Sequence, residues 1–212
     1  MNRPESEAQP AVFVIDDDKP LREALERLFR LVGLHAESFA TAAHFLKSKL
    51  PDVPTCLVLD VRLPGISGLD FQAELAKANI KIPIIFMTGH GDIPMAVEAM
   101  KAGAVEFLPK PFRDQDMLDA VHLALERDRT RREAERANAE LRTNFDNLSA
   151  REREVMAGVT AGLMNKQIAA QLGLAEITVK LHRSSAMRKM NARSVAELSR
   201  MAQILEIKRP KA

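Results

Sequence analysis

Hydrophobic and polar positions fall into two textures along the chain. Over residues 11–125 short apolar runs recur: AVFVI (11–15), CLVLD (56–60), IPIIFM (82–87) and AVEFL (104–108), with a weaker one at HAESF (35–39). The four strong runs lack polar alternation, the pattern of parallel strands covered on both faces. Helix-length stretches separate them. PLREALERLFRLV puts Pro20 in a first turn and Leu21, Leu25, Leu28 and Val32 on one face, with Gly33 as the stop. TAAHFLKSKL offers Thr41 as N-cap and runs up to Pro51. With 68–78, 93–102 and 112–125 this makes a five-fold strand–helix alternation, which predicts an α/β doubly wound parallel sheet.

A different texture follows. Residues 126–147, ERDRTRREAERANAELRTNFDN, interleave charges of both signs without Pro or Gly. They predict a helix that either continues the previous one or forms a helical linker, its Glu133, Ala137 and Leu141 positions largely wet. Leu141, Phe145 and Leu148 offer the seed of a contact, though a solvated connector is the simpler expectation. From Leu148 on, four short helices are predicted. Ser149 and Glu152 have capping-box spacing, and Gly162 closes that first helix. NKQIAAQLGL and AEITVKLHRSSAMRKM break at Gly173, with Asn165 expected as an N-cap. A last helix starts at Ser194. A tight turn between the middle pair fits a helix-turn-helix module.

Charge sharpens this division. Residues 1–125 carry 13 Lys+Arg against 18 Asp+Glu, a net of −5; residues 126–147 balance at 6 each; residues 148–212 carry 12 against 5, a net of +7. An acidic front and a basic back predict two modules with different partners, nucleic acid for the second. The 46% hydrophobic content is ordinary for a globular protein. No run reaches the roughly 18 apolar residues of a membrane span, and the N-terminal run is too short for a secretory core. A cytoplasmic location without membrane association is expected. The single cysteine, Cys56, lies inside an apolar run and reads as a small buried hydrophobe.

Three adjacent carboxylates, Asp16, Asp17 and Asp18, end the first strand. Crowded carboxylates repel unless a cation or donors offset them. Asp18 before Lys19-Pro20 reads as a helix N-cap. In an open parallel sheet, ligands bind beyond the carboxyl ends of the strands. Asp16 and Asp17 end the first strand, Asp60 ends the third, and Thr88 and Lys110 follow the fourth and fifth. Three carboxylates from two strand ends suit a hard divalent cation, magnesium or manganese. Lys110 and the Thr88 hydroxyl supply what a phosphoryl group needs on its outer oxygens. Taken singly, Lys110 reads as a surface lysine and Thr88 as a turn residue; together they converge on one sheet edge.

VIDDD, LVLDVRLPGISGLD, FMTGHGD and FLPKPF resemble the four signatures of the receiver domain of two-component response regulators, and TGHGDIPMAVEAMKAGAVEFLPKPF is similar to the FixJ-like subgroup. The resemblance covers residues 11 to about 125. It implies a five-stranded flavodoxin-like receiver with Asp60 as phosphoacceptor, fed by a sensor histidine kinase or an acyl phosphate. Asp17 and Asp60 would then bind the metal directly, Asp16 through water, and the Arg62 backbone carbonyl would add a ligand. Lys110 would pair with the phosphoryl group, and the Lys110–Pro111 bond would be cis. Phe107 matches the family's aromatic switch position, filling the gap that Thr88 leaves when drawn to the phosphate. The face 93–125 would change, with Ile93, Pro94, Val97 and Met100 available to a partner. Arg62 and His90 would tune the phosphate's lifetime; His90 is otherwise a solvent-facing loop residue.

LSAREREV and GLMNKQIAAQLGLAEITVKLHRSSAMRKM resemble the LuxR-type helix-turn-helix. That resemblance implies a recognition helix from about Glu176 to Met190 in the major groove of promoter DNA. Lys180, Leu181 and Ser184 would face base edges; Lys166, Thr178 and Arg183 would touch phosphates, beside His182. Val179 and Met187 read as the core face, and Arg188 and Lys189 as a favourable charge pair at the helix C-terminus. The domains expected are a receiver (11–125), a helical linker (126–147) and a helix-turn-helix domain (148–209). The whole reads as a phosphorylation-controlled transcription regulator that dimerises when phosphorylated. Two other readings compete. A haloacid-dehalogenase-type phosphohydrolase needs a second acid two residues after its strand-end Asp, where Arg62 stands. A vestigial receiver conflicts with the intact set of Asp17, Asp60, Thr88 and Lys110.

Overall fold

The computed structural model describes residues 9–89 and 93–207, which form two compact units dividing after Arg132. In the first, strands β1 (Ala11–Ile15), β2 (His35–Phe39), β3 (Thr55–Asp60), β4 (Ile84–Thr88) and β5 (Glu106–Pro109) make one parallel sheet in the order β2-β1-β3-β4-β5. Helices α1 (Lys19–Leu31), α2 (Ala42–Phe45), α3 (Gly68–Lys77), α4 (Ile93–Lys101) and α5 (Asp114–Asp146) alternate with the strands. β4 and β5 start two residues later than the apolar runs imply. Pro83 has no N–H to give a ladder, and its carbonyl accepts from Leu57 instead (2.9 Å).

The period of two explains why strands with no polar alternation are buried throughout. Val12, Val14, Cys56, Val58, Ile85 and Met87 pack with Leu25 and Phe29 of α1 and Met117 and Val121 of α5. Phe13, Ile15, Leu57, Leu59, Ile84 and Phe86 point the other way, onto Phe45, Phe71, Leu75 and Ala99 of α2, α3 and α4. Both faces are covered, so both residue sets must be apolar. Phe29 fills the place expected of Val32 on α1; Val32 caps the helix and is exposed. The stretch after Thr41 is also shorter than its length suggests. Thr41 caps α2 through His44 N–H (3.3 Å), but after Phe45 the Ser48 hydroxyl and N–H both bond back to the Phe45 carbonyl (2.7 and 2.9 Å) and close the turn.

Gly68 is a close-approach position. A Cβ there would collide with the backbone carbonyl of Asp60 and crowd Phe86, so only glycine lets α3 start against the end of β3.

The second unit contains the last part of α5 with α6 (Ala150–Thr160), α7 (Asn165–Leu172), α8 (Glu176–Lys189) and α9 (Val195–Ile204). Residues 126–147 thus continue the preceding helix almost to their end. Their later part is no solvated connector: Leu141 and Leu148 are buried with Val155, Met156, Ile168, Val179, Met190 and Leu198, and Phe145 packs against them. Arg153 lies over the Phe145 ring, 4.9 Å from its centroid. Gly173 adopts φ 65° as the left-handed C-cap of α7, the tight turn anticipated there. Asn165, in contrast, is not the N-cap. Met164 takes the extended cap conformation and donates its N–H to Gln167 Oε1 (2.8 Å), while the Asn165 side-chain Oδ1 accepts from Arg183 (3.2 Å). Among the described residues no helix is long and apolar enough to cross a membrane.

Candidate functional site

Parallel register aligns the strand ends at one edge. Ile15 pairs with Leu59, Asp60 with Met87, and Thr88 with Pro109. The next residues along, Asp16 and Lys110, therefore meet Asp60. Lys110 Nζ donates to Asp16 Oδ2 and to Asp60 Oδ2, each at 2.6 Å. Its backbone N–H is held by the Thr88 carbonyl (2.7 Å), and the Lys110–Pro111 bond is cis. Asp16, Asp17 and Asp60 each bring a carboxylate oxygen within 4.8 Å of the others. Asp16 is fully buried, Asp60 nearly so at 7% exposure, and Asp17 faces solvent.

The acidic loop is braced by donors. Asp18 N–H binds Asp16 Oδ1 (2.8 Å), Arg62 N–H binds Asp60 Oδ1 (2.9 Å), and the Arg22 guanidinium binds the Asp16 carbonyl (2.6 Å). Asp18 itself caps α1 through Leu21 N–H (3.2 Å), the role expected of it. Burial raises the Asp16 pKa above the usual carboxylate range and Asp60 adds repulsion, although Lys110 and the Asp18 N–H pull it down. For Lys110 burial disfavours the ammonium, but its bonds to Asp16 and Asp60 outweigh that and raise its pKa. An all-oxygen set of three carboxylates fits a hard divalent cation by donor chemistry.

Thr88 is fully buried and Phe107 half-buried, its ring centroid 6.4 Å from Phe86. Strand parity gives Thr88 and Phe107 the face shared by Phe86, while Asp60 and Lys110 carry on the opposite parity. Ile93 is 81% exposed, and Pro94, Val97 and Met100 are exposed on α4. Beside Lys110 a groove of about 530 Å³ runs between α1 and the start of α5, lined by Leu21, Leu25, Leu28, Pro111 and Phe112. His90 lies outside the described residues.

In the second unit, Lys166, Lys180, Leu181 and Ser184 are exposed, while Thr178, His182 and Arg183 are half-buried. Val179 is buried and Met187 packs against the core, as expected. Arg183 is held by Asn165, so it is not free to reach outward without giving up that bond.

Sequence patterns missed the buried Glu152 network. The Ser149–Glu152 capping box is present, with Ser149 N–H on Glu152 Oε2 (2.7 Å). The same carboxylate accepts from Lys189 (2.7 Å) and Ser185 (2.6 Å) of α8, which pins α8 to α6. Capping spacing was the only local signal; the partners lie more than 30 residues away. These bonds, Lys189 first and then Ser185, lower the Glu152 pKa from 4.5 to about 2. A depressed carboxylate contributes its full stability above the unfolded-state pKa and loses it as pH falls toward the folded one. We expect α8 amide protection to weaken as pH drops from about 4.5 towards about 2. Glu152→Gln should start less protected and lose that acid dependence; hydrogen exchange read at Ser185–Lys189, corrected for intrinsic rates, checks it.

Comparison with known proteins accords with both halves. Residues 12–122 match the family described as response regulator receiver domain, and residues 146–202 match bacterial regulatory proteins of the luxR family. The chain is 61% identical over 96% of its length, and 89% of the relative's, to nodulation protein W of Bradyrhizobium diazoefficiens. It is 42% identical to the transcriptional regulatory protein FixJ of Rhizobium meliloti, over 90% of this chain and 94% of that one. Among solved structures it resembles the response regulator StyR with a TM-score of 0.83 and 48% identity, covering 92% of this chain and 99% of that one.

Proposed function

The chain belongs to the two-component response regulators that join a receiver to a LuxR-type DNA-binding domain, and from that premise we propose how its residues divide the work. Asp60 is the phosphoacceptor. One carboxylate oxygen forms a bond to phosphorus as the P–N bond of a sensor kinase phosphohistidine, or the P–O bond of an acyl phosphate, breaks. The observation that carries this reading is the 2.6 Å bond from Lys110 to Asp60, made where three carboxylates converge.

Asp16, Asp17 and Asp60, with the Arg62 carbonyl, would hold Mg2+ or Mn2+, which when bound neutralises charge on the transferring phosphoryl group. Lys110 moves its contact from the Asp60 carboxylate to a phosphoryl oxygen, and the Thr88 hydroxyl donates to another. Phe107 turns into the space that Thr88 leaves, changing the 93–125 face. The apolar groove beside Lys110 suits cover by the protein that donates the phosphoryl group. Water later cleaves the acyl phosphate at Asp60, at a rate tuned by Arg62. The reaction resets a switch; it does not turn over an external substrate.

Within residues 11–125 for the receiver, 126–147 for the connecting helix and 148–209 for the DNA-binding domain, phosphorylation drives pairing of two chains. Each helix-turn-helix then meets one half-site through Lys180, Leu181 and Ser184 on bases and Lys166, Thr178 and Arg183 on phosphates, with His182 alongside. Work on promoter DNA fits a cytoplasmic location. Coupling two weak modules raises affinity through effective concentration, by about 10²–10⁴-fold. Sedimentation and a promoter-DNA titration, each with and without acetyl phosphate and Mg2+, test it. A doubling of mass with tighter binding is expected; unchanged mass and unchanged affinity would count against it.

A further inference from the structure

Helix α8 turns one ridge to its core and the opposite ridge outward. Val179, Ala186 and Met190 are buried. At about 100° per residue, the positions diametrically opposite are Ile177, Leu181, Ser184 and Arg188. The first two are 65% and 66% exposed, large aliphatic side chains one turn apart at the start of the helix. A ridge that faced only water would be better served by polar residues. Exposed basic groups adjoin it on the same helix, Lys180 beside it and Arg188 at its far end, and Lys166 on α7 is exposed as well. Lys180 Nζ lies 3.7 Å from the Glu176 carboxylate, an exposed pair that is weak and readily exchanged for a phosphate. The surrounding charge matches DNA, but phosphates give an apolar ridge nothing to bind. In the major groove, base edges offer one methyl group, the C5-methyl of thymine.

Resting on the DNA-binding reading of this domain, we propose that Ile177 and Leu181 form an apolar base-reading pair that selects thymine through its methyl, with Ile177 a specificity residue in addition to the polar contacts. Ile177 is the second residue of α8, at the end that enters the groove first.

The test uses duplexes enriched from a random pool by the full chain treated with acetyl phosphate and Mg2+. Each enriched thymine is then replaced by deoxyuridine, which removes only the methyl. At the thymines under the pair, wild-type affinity should fall about fourfold per methyl, the worth of one buried carbon. Ile177→Ala and Leu181→Ala, at exposed positions that leave the core untouched, should bind more weakly, each lose part of the thymine–uracil discrimination, and keep the salt dependence. Equal affinity of the wild type for thymine and uracil at every position overturns the inference, as does full discrimination retained in both variants. If the pool yields no enriched duplex, the DNA-binding reading itself fails.

Discussion

Alanine at Asp60 should abolish phosphoryl uptake while leaving the fold standing. In wild type, incubation with acetyl phosphate and Mg2+ is expected to produce a retarded band on a Phos-tag gel. In Asp60→Ala labelling should fall by about 10³-fold or more, the usual consequence of deleting a nucleophile. The neighbouring carboxylates are poor substitutes. Asp16 is buried and already holds Lys110 at 2.6 Å, and Asp17 lies out on the solvent side. Stability should change by less than about 1 kcal/mol, because Lys110 keeps Asp16 and Asp16 is relieved of a like charge. A retarded band that persists in the variant would move the acceptor elsewhere and sink the proposed role of Asp60.

Asp128→Ala should cost more stability than Asp60→Ala. Asp128 is fully buried on α5 at the opposite end of the sheet from Asp60. Its carboxylate accepts from Thr55 N–H at the head of β3 (2.9 Å), from Arg132 Nε (2.6 Å) and from the Arg131 guanidinium (2.6 Å). Arg132 also reaches Asp52 (2.8 Å). Alanine leaves the Thr55 N–H buried without this acceptor and takes the shared anion from both guanidinium groups. Breaking a buried ion pair from one side costs about 3–5 kcal/mol; because both arginines keep some solvent, about 3 is expected here. That lowers the first unit's melting temperature by about 10 °C. Thermal unfolding of the full chain, followed by circular dichroism, reads it. A midpoint within a degree or two of wild type would show that the cluster carries no net stability.

The strands, most helices and the polar strand ends were legible in the sequence because they follow local rules. Runs such as CLVLD need two-sided burial, and period two then assigns each face. A parallel sheet sends every strand end to the same edge, so the strand pattern alone groups Asp16, Asp60, Thr88 and Lys110. Ser149, Thr41, Ser194 and Gly173 announced helix ends because caps act within four residues. Where a local rule met a competing partner, the reading slipped. Asn165 has a capping side chain, yet Gln167 serves the terminus and Arg183 claims the amide. Leu141 and Leu148 sit in a charged stretch, and only helices far along the chain make them core.

What the chain determined unaided is its alternation of elements, its division of charge and the convergence of reactive groups, since each depends on neighbours along the backbone. Folding in three dimensions decided the rest. It chose which acid is buried, bridged Lys110 between Asp16 and Asp60, fastened α5 to β3 through Asp128 and α8 to α6 through Glu152, and left Ile177 and Leu181 facing outward. Those outcomes rest on charges and hydrogen bonds between residues tens of positions apart. Their strength depends on burial, and a linear pattern carries no measure of burial across such distances.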